Sequence, residues 1–174
     1  PISFNREALS QFEIAIRKEW LLTNGLGGYA SSTVLGINTR KYHGLLVAAV
    51  HPPRDRRVFL TKLDEDVNVG NDVYQLGTNE FRDGLYPRGY SLLKEFSVSP
   101  FPKYVYTMHN VEVQKTVLMP YRRNAVTVFY SVLNTSSFDV KVKVFPIVSG
   151  RHFHSVTDRS KAPAEFIQAQ DGTR

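Results

Sequence analysis

Tyr104-Val105-Tyr106-Thr107, then Met108-His109-Asn110, then Val111-Glu112-Val113-Gln114-Lys115-Thr116-Val117-Leu118, is the stretch on which the fold turns. Val111, Val113, Lys115 and Val117 alternate with Glu112, Gln114, Thr116 and Leu118. This period of two sends neighbouring side chains to opposite faces of a sheet, whereas a helix would scatter them around its axis. The three residues between the two runs suit a tight turn, so the stretch predicts an antiparallel hairpin. Downstream the pattern repeats. Ala125-Val126-Thr127-Val128-Phe129-Tyr130-Ser131-Val132-Leu133 is followed by a turn at Asn134-Thr135-Ser136-Ser137, then Val140, Val142 and Val144 interleave with Lys141, Lys143 and Phe145. Upstream, Gly44-Leu45-Leu46-Val47-Ala48-Ala49-Val50 is a continuous apolar run closed by His51-Pro52-Pro53, where proline withholds a ladder donor. Strands over residues 57–63 and 66–69, a turn at Gly70-Asn71-Asp72 and a strand over 73–76 complete a second hairpin. β-Branched and aromatic residues broken by turns about every ten residues predict a mainly all-β chain, an antiparallel β-sandwich.

Helix is plausible only over residues 6–19. Leu9, Phe12, Ile16 and Trp20 stand at helical spacing, while Phe12, Ile14 and Ile16 alternate equally well, so one short helix or a strand fits there. The 174 residues suit one domain, residues 1–174, large enough to bury a substantial core. Ala164-Glu165-Phe166-Ile167-Gln168-Ala169-Gln170 reads as a further strand, and Asp171-Gly172-Thr173-Arg174 as a turn with nothing behind it. The expectation is a sandwich truncated at its C-terminal end. The sandwich edge left at the break, with its unpaired ladder groups, predicts self-association of the fragment.

Zero cysteines exclude disulfide scaffolds, thiolate zinc sites, iron–sulfur clusters and cysteine nucleophiles. No run reaches membrane-spanning length and the first residues lack a secretory apolar core, so a cytoplasmic protein without membrane contact is expected. The 22 basic and 16 acidic residues leave a net charge of +6. The basic residues are scattered, densest at Arg54-Arg56-Arg57 and Arg122-Arg123 beside prolines, and this favours solvated loops over a nucleic-acid track.

The motifs are weak when taken singly. Gly25-Leu26-Gly27-Gly28-Tyr29-Ala30 has the spacing of a dinucleotide loop, yet Ser31-Ser32-Thr33-Val34 opens a helix poorly and no acidic residue stands about twenty positions on. A tight glycine-rich turn is the better reading, and no cofactor is expected. His152-Phe153-His154 would set two imidazoles on one strand face, but nothing local supplies a third ligand, so no metal is expected. Asp64-Glu65-Asp66 is the sole acidic triplet. On a strand its carboxylates alternate between faces, which argues for a solvated strand end rather than the facing pair of a glycosidase. Ser31, Ser32 and Ser155 lack the nucleophile-elbow setting. Trp20 and the many tyrosines could stack on sugar rings, although strand spacing makes most of them packing residues.

Taken together, two blocks are more particular. Glu19-Trp20-Leu21-Leu22-Thr23-Asn24-Gly25-Leu26-Gly27-Gly28-Tyr29-Ala30-Ser31-Ser32-Thr33 and Asn38-Thr39-Arg40-Lys41-Tyr42-His43-Gly44-Leu45-Leu46-Val47 closely resemble the N-terminal domain of prokaryotic, archaeal-type glycogen debranching enzymes, the amylo-α-1,6-glucosidases. Lys62-Leu63-Asp64-Glu65, Pro87-Arg88-Gly89-Tyr90 with Phe96, and Arg151-His152-Phe153-His154 extend the resemblance, His152 standing where an acidic residue would be expected. The resemblance implies a supersandwich domain ahead of a helical toroid that carries the catalytic carboxylates, a toroid absent from this chain. It implies hydrolysis of α-1,6 branch points in a glycogen-like α-glucan, by protonation of the leaving oxygen and attack of an activated water.

The chain alone is then expected to supply no catalytic residue. Its candidate contacts, to substrate or to the C-terminal catalytic domain of the same polypeptide, are Trp20, Asn24, Arg40, Tyr42, His43, Arg151 and His154. Donors beside aromatic faces suit sugar hydroxyls, but they equally suit the satisfaction of buried carbonyls and carboxylates. A stand-alone carbohydrate-binding module for α-glucans is the alternative function, and a basic nucleic-acid domain a third.

Overall fold

The computed structural model describes residues 2–156. In chain order its elements are β1 (Ile2–Asn5), α1 (Arg6–Ser10), α2 (Phe12–Ala15), β2 (Glu19–Thr23), β3 (Tyr29–Thr33), β4 (Gly44–His51), β5 (Arg54–Val69), β6 (Asp72–Gln75), β7 (Asn79–Phe81), β8 (Gly84–Tyr86), a 3-10 turn (Gly89–Leu92), β9 (Leu93–Val98), β10 (Pro102–Met108), β11 (Val111–Leu118), β12 (Thr127–Asn134) and β13 (Val140–His152). The strands form two sheets and a small β7–β8 hairpin, with every pairing antiparallel. One sheet has the order β1-β9-β10-β11-β12. The other runs β13-β5-β4-β3-β2, with β6 paired to β5 as well. The antiparallel sandwich expected from the alternating pattern is therefore what the chain builds.

The deciding hairpin forms as read. β10 and β11 pair from Lys103 opposite Thr116 to Met108 opposite Val111. His109 and Asn110 both take positive φ, 42° and 62°, the paired left-handed conformation that matches a two-residue turn to the strands' twist. Val111, Val113, Lys115 and Val117 all point inward and are buried. The second expected hairpin also forms, from Asp66 opposite Gln75 to Val69 opposite Asp72.

Two boundaries differ from the sequence reading. Residues 57–63 and 66–69 belong to one long strand, β5, because Asp64-Glu65-Asp66 continues the ladder with β13 instead of ending it. β13 also runs through Pro146, which an edge strand accommodates because a missing N–H on its free side costs no ladder bond. Near the N-terminus there are two short helices. Asn5 caps the first through Ala8 N–H at 3.0 Å, and Gln11, with ψ at 70°, breaks the run between them. Trp20 leaves the helical pattern and joins β2. The strand and turn expected over residues 164–174 lie outside the described residues.

The core lies between the sheets, where Val34, Ile37, Leu45, Val67 and Leu76 meet Leu93, Phe96, Tyr104, Tyr106 and the inward valines of β11. Two polar links cross it. Trp20 donates its indole N–H to the Tyr104 hydroxyl at 2.5 Å, and that hydroxyl donates to the Thr33 carbonyl at 2.7 Å. Deeper along β5, Glu65 is 1% exposed and forms an ion pair with Lys115 at 2.6 Å, while the Tyr130 hydroxyl donates to the same carboxylate. Lys115 also donates to the Leu63 carbonyl at 3.1 Å. Burial and the adjacent Glu65 charge push the Tyr130 phenol well above its usual range. The acidic triplet is thus no solvated strand end: its middle member is a buried tie between the sheets.

Candidate functional site

The loops at the β2–β3 and β4–β5 turns, the segment before β4 and the end of β13 gather on one side of the molecule. Asn24 organises the first of them. Its side-chain carbonyl accepts the Leu26 and Gly28 N–H groups at 2.9 and 3.0 Å, and its amide donates to the Arg123 carbonyl at 2.9 Å and Asn124 Oδ1 at 3.1 Å. Gly27 turns beside Pro53 with φ at 94°, and a Cβ there would stand 2.7 Å from the Pro53 carbonyl oxygen. The glycine-rich segment is therefore a close-packed turn with no helix behind it, as its flanking residues imply.

The segment 39–43 folds across to the end of β13. Tyr29 donates its hydroxyl to the Tyr42 carbonyl at 2.8 Å, and Lys41 donates to the His154 carbonyl at 2.8 Å. Arg151 donates to the Lys41 carbonyl through one guanidinium nitrogen and to the Ser155 carbonyl, at 2.8 Å, through another. The Tyr42 ring packs 5.7 Å from both Phe153 and His154, its hydroxyl lies 3.2 Å from His154 Nδ1, and the Arg56 guanidinium covers Phe153 at 5.4 Å. Arg56 is fixed in turn by donating to the Gly27 carbonyl at 2.6 Å. The result is an aromatic ledge held by arginines, with Tyr42 and His154 exposed at its rim.

Beside the ledge, Glu19 binds the Arg40 guanidinium at 2.7 Å and faces His43 Nε2 at 3.4 Å. His43 is almost fully buried, and its Nδ1 accepts the Thr39 N–H at 3.1 Å, which assigns the ring proton to Nε2, directed at Glu19. Burial lowers the His43 pKa below its usual 6.5; Glu19 opposes that shift and Arg40 adds to it. His43 is therefore neutral at neutral pH, its Nε2 facing Glu19 without a hydrogen bond, and Arg40, with 62% of its side chain exposed, presents the cluster's charge to solvent.

Of the seven residues picked from sequence, the structure brings Tyr42, Arg151 and His154 into one cluster, with Arg40 and His43 beside it on the same segment. Trp20 and Asn24 stand apart. Trp20 is buried with its one N–H committed to Tyr104, and Asn24 spends its amide on the turn, so neither keeps a polar group for a ligand. Sequence reasoning passed over Glu19, Arg56 and Phe153 as site residues. Phe153 was legible as the middle of a His-Phe-His run. The roles of Glu19 and Arg56 depend on contacts with segments 21 and 29 positions away, which no local pattern reports.

The His152 and His154 rings lie 5.4 Å apart at the end of β13, whose last residue is His152, and no group of three or more potential metal ligands occurs among the described residues. Asp64 is engaged by Lys62 at 2.9 Å and Asn79 at 2.8 Å, and Glu65 by Lys115, so the acidic triplet offers no free carboxyl pair facing a common space. No helix among the described residues is long and apolar enough to cross a membrane.

A family profile described as glycogen debranching enzyme N terminal matches residues 18–173. No curated protein and no solved structure matches the chain. The matched span begins just before Glu19 and includes every residue of the ledge and of the Glu19–Arg40–His43 cluster. The chain belongs to the glycogen debranching enzyme N-terminal domain family.

Proposed function

We propose that this domain serves a debranching enzyme that hydrolyses α-1,6-glucosidic branch points, and that the ledge packs on the catalytic domain of the same polypeptide and borders its glucan site. The observation that carries the reading is the joining of residues 39–43 to residues 151–154. Two segments more than a hundred positions apart unite an aromatic face, Tyr42 with Phe153, and polar tips suited to sugar hydroxyls, Arg40 and His154. Trp20 and Asn24 support this face from beneath by fixing β2 and its turn. The acid and base of the hydrolysis belong to the catalytic domain, since the buried carboxylates of β5 are committed to lysines. The protein acts in the cytoplasm and needs no cofactor, metal or nucleic acid.

In the complete enzyme, Arg40→Ala is expected to lower kcat/KM on a branched glucan by about tenfold, the scale of one lost polar contact, and His43→Ala to lower it by loosening the segment and the Glu19 carboxylate that position Arg40. Unchanged glucan affinity and turnover in both variants would refute the reading; Arg40→Ala, being exposed, decides the matter if His43→Ala impairs folding. Calorimetry of the 174-residue chain with maltoheptaose separates a domain that needs its partner, which gives no heat, from a self-sufficient binding module, which gives saturable heat.

The apolar side chains exposed on β12 and β13 among the described residues, including Phe129, Leu133, Val144 and Val148, support self-association of the isolated chain.

A further inference from the structure

The charge of this chain is concentrated at the ledge and the turns beside it. Residues 40 and 41, Arg54, Arg56 and Arg57 of the β4–β5 hairpin, the Arg122-Arg123 turn and Arg151 supply eight of the 22 basic side chains, against Glu19 and Asp55 among the described acidic ones. That region therefore carries +6; the other described residues contain eleven basic and eleven acidic side chains, which cancel. These segments are physically joined. Arg151 binds the Lys41 carbonyl, Arg56 binds the Gly27 carbonyl, Gly27 abuts Pro53, and Asn24 binds the Arg123 carbonyl.

The kind of cation is as informative as the charge. Seven of the eight are arginine, whereas lysine outnumbers arginine seven to four among the other described residues. Tyr42 and Tyr121 are exposed among them. Arginine and tyrosine are the residues enriched in protein–protein interfaces and lysine is depleted there, because a planar guanidinium pairs with carboxylates through two parallel hydrogen bonds and sheds water more readily than an ammonium. A neutral glucan gives such a surface no charge to meet. A nucleic-acid track would use lysine as readily, and would align its cations along a groove or helix face.

We propose that this arginine-rich face is built to meet an acidic protein surface, carried by the catalytic domain of the same polypeptide, through arginine–carboxylate pairs. This rests on the docking reading above and adds the chemistry of the partner face.

The experiment is amide hydrogen exchange on the complete enzyme, read at residues 24–28 and 52–57, with β11 as the internal measure of folding. The variants are Arg54→Glu with Arg122→Glu, the neutral pair Arg54→Gln with Arg122→Gln, chosen because Arg57 is already paired with Asp55 at 3.6 Å, and Lys141→Glu with Lys143→Glu as a reversal of equal size on β13. Because the Leu26 and Gly28 N–H groups are already bonded within the turn, the quantity read is the protection that the complete enzyme adds over the 174-residue chain, and the unmodified enzyme should show it. The arginine reversal should raise their exchange about thirtyfold or more, the scale of breaking interfacial charge pairs, with the neutral pair intermediate and the lysine reversal without effect. Should the reversal also cost β11 its protection, the neutral pair decides. Turns that are protected but indifferent to both arginine pairs would overturn the acidic partner and leave docking intact. Turns that gain no such protection in the unmodified enzyme would overturn both. Protection that appears only on adding a duplex DNA 20-mer, with log K falling linearly against log salt, would overturn the proposal in favour of nucleic acid.

Discussion

β11 and β13 carry the same kind of sequence and are covered to different extents: on β13 Val140 and Val142 are half-buried against the core while Val144 lies exposed. Each alternates valine with polar or charged residues, Val111, Val113 and Val117 on one strand and Val140, Val142 and Val144 on the other. On β11 the inward valines are sealed, Val113 at 0% exposure, because β10 and β12 flank the strand and the opposite sheet covers it. On β13, an edge strand, Val144 is 39% and Val148 55% exposed among the described residues. A period of two thus states which side chains share a face, and says nothing of whether that face is covered. Covering is a property of the neighbours, and among the described residues it is complete on β11 and partial on β13.

The sharpest way to break the sealed flank is to remove one member of its buried ion pair. Lys115→Met leaves the Glu65 carboxylate uncompensated between the sheets and should cost about 3–5 kcal/mol of unfolding free energy, measured by urea titration. A cost within experimental scatter would mean that Glu65 reaches solvent and that the sheets are not closed over it. Next in size, Val113→Ala on the sealed strand should cost about 2 kcal/mol through lost burial and an unfilled cavity.

The His43 cluster allows a pH test of intermediate size. Burial holds its folded-state pKa below the 6.5 of an exposed histidine, so the unfolded chain binds the proton more readily. Stability is therefore full above about pH 6.5 and falls as the pH drops through the folded value. His43→Gln should flatten that dependence between pH 7 and 5; an identical slope in the variant would place the titration elsewhere. At the bottom of the scale, Val144→Ala on the open strand should cost less than about 1 kcal/mol, a fraction of the Val113 effect. Val144→Lys with Val148→Lys should lower self-association in light scattering while the melting temperature holds. A monodisperse monomer at high concentration in the unmodified chain would remove the reason for that variant.

The same contrast measures how much was legible in the sequence. The antiparallel sandwich, the hairpins at residues 108–110 and 70–72, and the glycine turn follow from local chemistry: β-branched alternation, turn residues between the runs, and glycines where the backbone takes positive φ. The continuity of β5 through Asp64-Glu65-Asp66 did not follow, because a carboxylate reads as exposed until its partner is known, and Lys115 lies fifty positions away. The site was legible by halves for the same reason. Arg40, Tyr42 and His43 form one short block, and Arg151 and His154 another, each recognisable by its residues. That Tyr42 stacks on Phe153, and that Glu19 clamps Arg40 and His43, are long-range facts that emerge only once β3, β4, β5 and β13 lie side by side. Trp20 and Asn24 show the converse error: their chemistry suits a ligand, but the fold consumes it.

The most direct test of the account compares two half-exposed aromatics in the complete enzyme, Tyr42 on the ledge and Phe145 on β13, by measuring kcat/KM on a branched α-glucan for Tyr42→Ala and Phe145→Ala. The account predicts a loss of about tenfold or more for Tyr42→Ala, with the melting temperature held, and no change for Phe145→Ala. Equal activity in the two variants would contradict it.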